Sequence, residues 1–117
     1  NLGKIGLVYS NQHDYDKALD FYFRALKITE KIGDKSSTSR HLGNIGDLYY
    51  NQDNYSKAPF YYNNALKMTR ELGDRFAFSS WQSGLGKVYM KMGKFKEAEI
   101  VLKESIALAI PFAVAPR

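Results

Sequence analysis

The chain has 117 residues, of which 44% are hydrophobic and 25% charged, and its formal net charge is +5. This length suits one domain with a buried core, and the absence of cysteine excludes disulfides, thiol catalysis and cysteine-ligated zinc. No apolar run reaches the roughly 18 residues that a membrane-spanning helix needs, and charges of both signs are scattered along the chain rather than gathered into a disordered basic tail.

The sequence repeats itself with a period of 40 residues. The three clearest copies are LGKIGLVY at 2–9, LGNIGDLY at 42–49 and QSGLGKVY at 82–89. Alanines follow at the same spacing, at Ala18, Ala58 and Ala98. Such self-similarity is typical of an array of supersecondary units. We therefore predict a single domain of three repeats, at about 1–41, 42–81 and 82–117.

Each repeat is predicted to hold two helices, A and B, joined by a short turn. In the first repeat, Asp14 can cap helix B and Gly33 can end it. In the second repeat, Leu42, Ile45 and Tyr49 follow the i, i+3, i+7 spacing of a helical stripe. This stripe predicts helix A of the second repeat over about 36–51.

Helix B of the second repeat is predicted to follow the polar turn 52–54, with Asn54 as its cap and Gly73 at its end. Pro59 falls about five residues into this helix, where we expect a slight kink because proline lacks a backbone N–H. In the third repeat, Pro111 is predicted to end helix B. Since no segment alternates as a strand does, the predicted fold class is all-α.

Glycine recurs in the middle of every helix A, at Gly6, Gly46 and Gly86. Because a mid-helix glycine costs about 1 kcal/mol relative to alanine, we expect helices A and B to approach closely there, with the three alanines of helix B as the opposing surface. Tyr9, Tyr49 and Tyr89 are expected to fill the gaps between successive helix pairs. Helix A of the third repeat is expected to rotate slightly and bury Trp81.

These positions resemble the tetratricopeptide repeat family. In the second repeat, its pattern is met by Leu42, Ile45, Gly46, Tyr49, Ala58, Tyr62 and Ala65. The longer period of 40 is similar to that of kinesin light chain, Pins-type adaptors and bacterial signalling proteins. The resemblance covers essentially the whole chain and implies a right-handed α-solenoid of three antiparallel helix pairs that needs no cofactor. Because the sequence begins with Asn1, we expect it to be a fragment of a larger, cytoplasmic signalling or scaffold protein.

No residue pattern indicates an enzyme or a metal site. His13 and His41 stand apart, without a second ligand at metal spacing. The stretch 3–6 lies within an amphipathic helix rather than in a phosphate-binding loop, and helix capping explains the hydroxyl-rich stretch 36–39. The aromatic residues recur at predicted core positions and the basic residues form no stripe, so we expect no nucleic acid, no membrane and no small-molecule substrate as partner.

The resemblance implies that the A helices line a concave groove, which holds an extended peptide or a helix of a partner protein. The residues implied for this groove are Lys4, Leu7, Asn11, Arg40, Asn44, Asp47, Tyr50, Asn51, Lys87, Met90 and Lys91. Asn44 is implied to hold the backbone of the ligand, since a carboxamide offers donors and an acceptor to a peptide group. Four of these residues are positive and only Asp47 is negative, which favours an acidic segment or a C-terminal carboxylate.

Two alternatives stay open at this point. The same residues can be merely the solvated face of the A helices. The array can also be a structural segment that packs end to end, on a second copy or on the rest of its parent, through exposed helix faces at its ends. Phe112, in the apolar stretch that ends the sequence, is expected to contribute to such self-association.

Overall fold

The computed structural model describes the backbone of residues 1–113 and the side chains of residues 1–105. Over this part of the chain, six α-helices follow one another and no strand occurs. They are α1 Leu2–Asn11, α2 Tyr15–Ile32, α3 Lys35–Asn51, α4 Ala58–Leu72, α5 Arg75–Lys91 and α6 Phe95–Ala113. The predicted all-α class is confirmed.

Every helix packs on the helices that precede and follow it along the chain. The pairs α1–α2, α3–α4 and α5–α6 correspond to helices A and B of the three repeats, while α2–α3 and α4–α5 join one repeat to the next. In addition, α3 contacts α5 directly. The A helices therefore form one layer of the stack and pack on the B helices.

A glycine–aspartate pair makes each junction between repeats. Gly33 and Gly73 end α2 and α4 with φ of 76° and 71°, in the left-handed region where a residue without Cβ is favoured. The next residue, Asp34 or Asp74, caps the following helix by accepting a hydrogen bond from a backbone N–H, at 3.1 Å and 3.0 Å. The dipeptide thus closes one helix and opens another within two residues.

The predicted helix A of the second repeat is confirmed, since α3 runs over Lys35–Asn51. The start of the following helix was predicted wrongly. Helix α4 begins only at Ala58, and no side chain caps it; the Asn54 carboxamide accepts a hydrogen bond from Ser56 Oγ instead. Pro59 therefore lies in the first turn, where its missing N–H costs no helical hydrogen bond, and the expected kink is not needed.

The cap that Asp14 was predicted to supply is confirmed, because its carboxylate accepts from the Lys17 N–H at 3.4 Å. The predicted end of the last helix is wrong. Helix α6 runs to Ala113 and so continues past Pro111. Proline removes one hydrogen bond of the helical ladder, and a helix that keeps its other bonds can continue beyond it.

The close approach of helices A and B at glycine is confirmed. The nearest group is an aromatic or aliphatic side chain at all three positions, and alanine contributes only at Gly6, where the Ala18 carbonyl oxygen would lie 3.4 Å from an added Cβ. A Cβ added to Gly46 would lie 3.1 Å from the Tyr62 ring, and one added to Gly86 would lie 2.7 Å from Leu102. Gly6 faces the Tyr22 ring in the same way, at 3.3 Å. The three alanines are buried. The side chain that lies over each glycine belongs to the residue four positions after the alanine, namely Tyr22, Tyr62 or Leu102.

The tyrosines near the ends of the A helices stack within their own repeats. The ring of Tyr9 lies 5.5 Å from that of Phe21 in α2, and the ring of Tyr49 lies 5.4 Å from that of Tyr61 in α4. Tyr49 also packs against both buried clusters of the core, so its predicted place between successive pairs is correct in part. The stacked rings stabilise the first two helix pairs where helix A ends.

Candidate functional site

The A helices touch one another through an aromatic ring laid on a glycine. The His41 ring of α3 lies against Gly3 of α1, where an added Cβ would be 3.1 Å from His41 Cε1. The Trp81 indole of α5 lies even more closely on Gly43 of α3, at 2.3 Å from such a Cβ. These two contacts make α1, α3 and α5 a continuous layer, called here the A-helix layer.

Most of the residues predicted to bind a partner are exposed on this layer. Asn44 and Tyr50 are half-buried, and the other nine are exposed: Lys4, Leu7, Asn11, Arg40, Asp47, Asn51, Lys87, Met90 and Lys91. Over the described side chains, no ion pair joins any of the four cations in this set to a carboxylate. The charges of this surface are therefore available to an incoming group.

Asp47 interacts electrostatically with Lys87 beside a buried tyrosine. The hydroxyl of Tyr62 reaches from α4 through the A-helix layer and donates a hydrogen bond to the Asp47 carboxylate. It can pass because α5 has no side chain at Gly84, where a Cβ would lie 2.7 Å from the ring. Partial burial raises the pKa of Asp47 above its usual value of 3.8, although the hydrogen bond from Tyr62 and the charge of Lys87 act in the opposite direction.

A groove of about 370 Å³ opens between α3 and α5, toward the start of both helices. Arg40 and Asn44 of the predicted set line it, together with Leu72, Phe76, Ser80 and Trp81. Arg40 forms a single hydrogen bond within the described residues, to Ser37 Oγ at 3.4 Å. Asp74 also borders the groove, but its carboxylate caps α5. We name this space the α3–α5 groove.

The remaining predicted residues are not gathered at one point. Tyr50 packs beside Tyr55, with ring centroids 5.7 Å apart. Six residues neither line the α3–α5 groove nor take part in the electrostatic interaction of Asp47 with Lys87: Lys4, Leu7, Asn11, Asn51, Met90 and Lys91. The predicted set thus occupies the exposed surface of the layer as separate polar points.

Sequence reasoning missed the apolar side of the α3–α5 groove. Phe76 is 84% exposed and Leu72 is partly exposed, and neither was expected to contact a partner. A signal existed, because Phe76 stands where the first repeat has Ser36. The packing of Trp81 on Gly43 was harder to predict from the sequence, because the contact depends on how closely α5 approaches α3 and the two residues lie in different A helices.

A second depression, of about 340 Å³, lies where α1, α2 and α3 meet. His41 lines it, is buried, and has no hydrogen-bond partner at Nδ1 within the described residues. Burial, followed by the nearby charge of Arg40, lowers the pKa of His41 below 6.5. In residues 1–105, no group of three or more histidine and acidic side chains is arranged to hold a metal ion.

None of the described helices combines the length and the apolar character needed to cross a bilayer.

Comparison with known families and structures places the chain among helical repeats. A tetratricopeptide repeat model matches residues 1–71, and a second tetratricopeptide repeat model matches residues 83–109. No curated protein matches the sequence. The family matches cover the first predicted repeat and most of the second and third, in agreement with the resemblance drawn from the sequence.

The chain is similar to several solved structures, all below 20% identity. It superposes on BtubC (BKLC) from P. vanneervenii with a TM-score of 0.93 at 19% identity, covering 99% of this chain and 48% of that one. For the TPR domain of Arabidopsis FLU the TM-score is 0.85 at 17% identity, with 91% and 89% coverage. For aspartyl phosphate phosphatase F from Bacillus subtilis it is 0.91 at 18%, with 97% and 30% coverage.

At these identities the likeness shows the fold alone, and the predicted α-solenoid of stacked helix pairs is confirmed. The chain spans about half the length of BtubC.

Proposed function

The chain belongs to the tetratricopeptide repeat family, and on that premise we propose that it is a protein-interaction module whose A-helix layer binds an extended or helical segment of a partner protein. The observation that carries this proposal is the α3–α5 groove, which adjoins exposed cationic residues that form no ion pair within the described side chains. The groove is present in the chain alone, so the backbone needs to change little on binding.

The charge of the layer favours an acidic segment or a C-terminal carboxylate. Lys4, Arg40, Lys87 and Lys91 are all exposed and form no ion pair within the described side chains, whereas the Asp47 carboxylate accepts from the Tyr62 hydroxyl and interacts electrostatically with Lys87. Complementary charge speeds encounter and selects the partner more than it adds affinity. The layer is therefore suited to attract an acidic segment that shorter-range contacts then fix.

Asn44 is the residue we assign to the backbone of that segment. It is half-buried at the edge of the α3–α5 groove, and a carboxamide can donate to a peptide carbonyl and accept from a peptide N–H at once. Tyr50, farther along α3, adds a partly buried aromatic surface. This arrangement binds a segment without a covalent step, in agreement with a family whose members are generally non-catalytic. The cytoplasmic, signalling or scaffold setting stays a prediction.

Affinity capture from the source lysate tests this assignment. We would compare wild type with Asn44→Ala/Tyr50→Ala, and use Asn63→Ala/Phe60→Ala as a matched control, since both of these residues are exposed on α4 and line no part of the groove. Circular dichroism would verify that all three are folded. A partner that wild type and the control retain and the groove variant loses is expected; equal retention by all three contradicts the assignment.

End-to-end self-association is a second candidate, favoured by the exposed face of α1. Ile5 and Val8 are 40% and 54% exposed, whereas the equivalent Ile45 and Leu48 of α3 are 0% and 2% exposed. A helix of a second copy could cover this apolar face. Sedimentation of wild type and Val8→Asp tests it: self-association predicts a dimer that forms with rising concentration and that the charge abolishes. Phe112, assigned to the other end, lies outside the described side chains.

A further inference from the structure

The apolar side of the α3–α5 groove is a departure from the repeat. At the junction of the second and third repeats it is built from Leu72, Phe76 and Trp81. The equivalent positions at the first junction hold Ile32, Ser36 and His41. A large aromatic side chain therefore replaces a small or polar one at two of the three positions, and only at this junction.

The fold does not account for Phe76. This side chain is 84% exposed at the start of α5, and the helix is already capped there by Asp74. Helix α3 forms the same helix start with Ser36 at that position. A phenylalanine left in water at the rim of a groove loses the free energy that burial would give, and clustered exposed apolar residues of this kind mark interaction sites.

The opposite side of the groove is polar and carries the guanidinium of Arg40, which also interacts electrostatically with Asp34. Arg40 makes no ion pair with any described carboxylate, and its one hydrogen bond to Ser37 Oγ is long. Ser80 and Asn44 lie beside it as neutral hydrogen-bonding groups. An anionic group that enters from this side meets a guanidinium suited to a carboxylate.

We propose that the α3–α5 groove is a side-chain pocket that takes an apolar residue of the partner segment between Phe76, Leu72 and Trp81, with an acidic residue next to it that pairs with Arg40. This rests on the proposed function, because it adds a side-chain preference to the same binding layer. The preferred partner is therefore a protein segment in which an aliphatic or aromatic residue stands beside an aspartate or glutamate.

The pocket contains its own reporter, since Trp81 is the only tryptophan of the sequence. The test titrates the chain with the blocked peptide acetyl-Gly-Ser-Leu-Glu-Ser-Gly-amide and follows the indole N–H signal of Trp81 by NMR. Two matched peptides carry serine in place of leucine or glutamine in place of glutamate. The protein variants are Phe76→Ser and Arg40→Gln, with Phe60→Ser and Arg24→Gln as controls that lie outside the pocket.

The first peptide is expected to shift the Trp81 signal. Loss of leucine or of Phe76 should weaken binding about tenfold, the effect of leaving one apolar side chain in water. Loss of glutamate or of Arg40 should weaken binding about threefold, as for an exposed ion pair. The binding that remains should no longer depend on the salt concentration. Phe60→Ser and Arg24→Gln should bind like wild type. Because Phe76 is exposed, its replacement leaves the core intact.

Three outcomes would overturn the pocket: no Trp81 shift with the first peptide at the limit of its solubility, equal shifts with the leucine and serine peptides, or wild-type binding by Phe76→Ser. Failure here is distinguishable from failure of the proposed function. A partner captured by Phe76→Ser but lost by Asn44→Ala/Tyr50→Ala would leave groove binding in place and remove only the pocket. A partner indifferent to both variants would contradict the proposed function itself.

Discussion

Asp47 occupies an unfavourable electrostatic position in the A-helix layer. Partial burial raises its pKa above 3.8, so the folded chain holds its proton more tightly than the unfolded chain does. Over the pH range between these two pKa values the native state binds more protons, and stability falls as pH rises through it. At neutral pH the ionised Asp47 carboxylate therefore lowers the stability of the folded chain slightly.

Asp47→Asn should stabilise the chain at neutral pH. The amide removes the charge, and its oxygen can still accept from the Tyr62 hydroxyl, so we expect a gain of about 0.5 kcal/mol, limited because the outer edge of the side chain is screened by water. The gain should shrink as the pH falls toward 3.8, where the wild-type carboxyl is neutral too. Urea unfolding at several pH values measures it.

The control for this change is Asp16→Asn. Asp16 is exposed in the first turn of α2, where a negative charge is favourable, so its removal should bring no gain. A wild-type chain as stable as Asp47→Asn at neutral pH would contradict the cost assigned to Asp47. If Asp47→Asn is more stable but binds a captured partner less well, the Asp47 carboxylate contributes to binding although it lowers stability.

His41 should make the chain sensitive to mild acid. Its pKa lies below 6.5 in the folded chain, mainly because of burial, and the charges that face it are Arg40, which lowers the pKa, and Asp34, which raises it. The Tyr22 ring beside it is neutral. The unfolded chain therefore binds the proton more readily, and stability is lost as the pH falls through about 6.5 toward the folded pKa.

The measurement is the free energy of unfolding at about pH 7.5 and about pH 5.5, for wild type, His41→Leu and His13→Gln. In His41→Leu, the free energy of unfolding should differ much less between the two pH values than it does in wild type. His13 is exposed in the first turn, so its replacement should leave the difference unchanged. An equal loss of stability on acidification in wild type and His41→Leu would show that other groups control the acid response.

At the scale of the element, the start of α5 depends on one side chain. The Asp74 carboxylate accepts from the Ala77 N–H at 3.0 Å, and it does so directly after the left-handed Gly73 that ends α4. Asp74→Ala should cost about 1 kcal/mol, the usual effect of a lost N-cap. Asp74→Ser, which keeps an acceptor, should cost much less. Thermal unfolding of both variants tests this, and equal melting temperatures would contradict a capping role.

Helix boundaries show what sequence rules could and could not predict. The ends at Gly33 and Gly73 and the cap at Asp14 were predictable, because glycine is strongly preferred directly after a helix and aspartate directly before one. The start of α4 was not, because Asn54 and Pro59 are competing start signals five residues apart. The backbone follows the proline, whose fixed φ suits the first helical turn.

At the scale of the whole molecule, the period of 40 predicted the stacked helix pairs, and the resemblance to the tetratricopeptide repeat family implied the surface that the A helices expose. The site needed more. The hydrogen bond from Tyr62 to Asp47 depends on a passage between three helices, and the α3–α5 groove depends on how closely α5 approaches α3. These are distances between repeats, whereas periodicity reports only which residues of a helix share a face. The division into a single domain of three repeats stays a prediction.

The contact between Trp81 and Gly43 determines how the second and third repeats join, and it can be tested by one methyl group. An alanine Cβ at position 43 would lie 2.3 Å from the indole, so the ring or α5 must move. We expect Gly43→Ala to destabilise the chain by about 1–3 kcal/mol, as overpacking does, and to expose Trp81 to water. Gly3→Ala should cost less, because its nearest atom, His41 Cε1, lies at 3.1 Å.

Thermal unfolding and the fluorescence of Trp81 measure the two effects together. In Gly43→Ala the emission should shift to longer wavelength, while Gly3→Ala should leave it unchanged because that contact lies at the first junction. Ser83→Ala, a change of similar size at an exposed position of α5, serves as the control. Wild-type stability and emission in Gly43→Ala would mean that the A helices approach less closely than described. The α3–α5 groove would then be wider than it is in this structure.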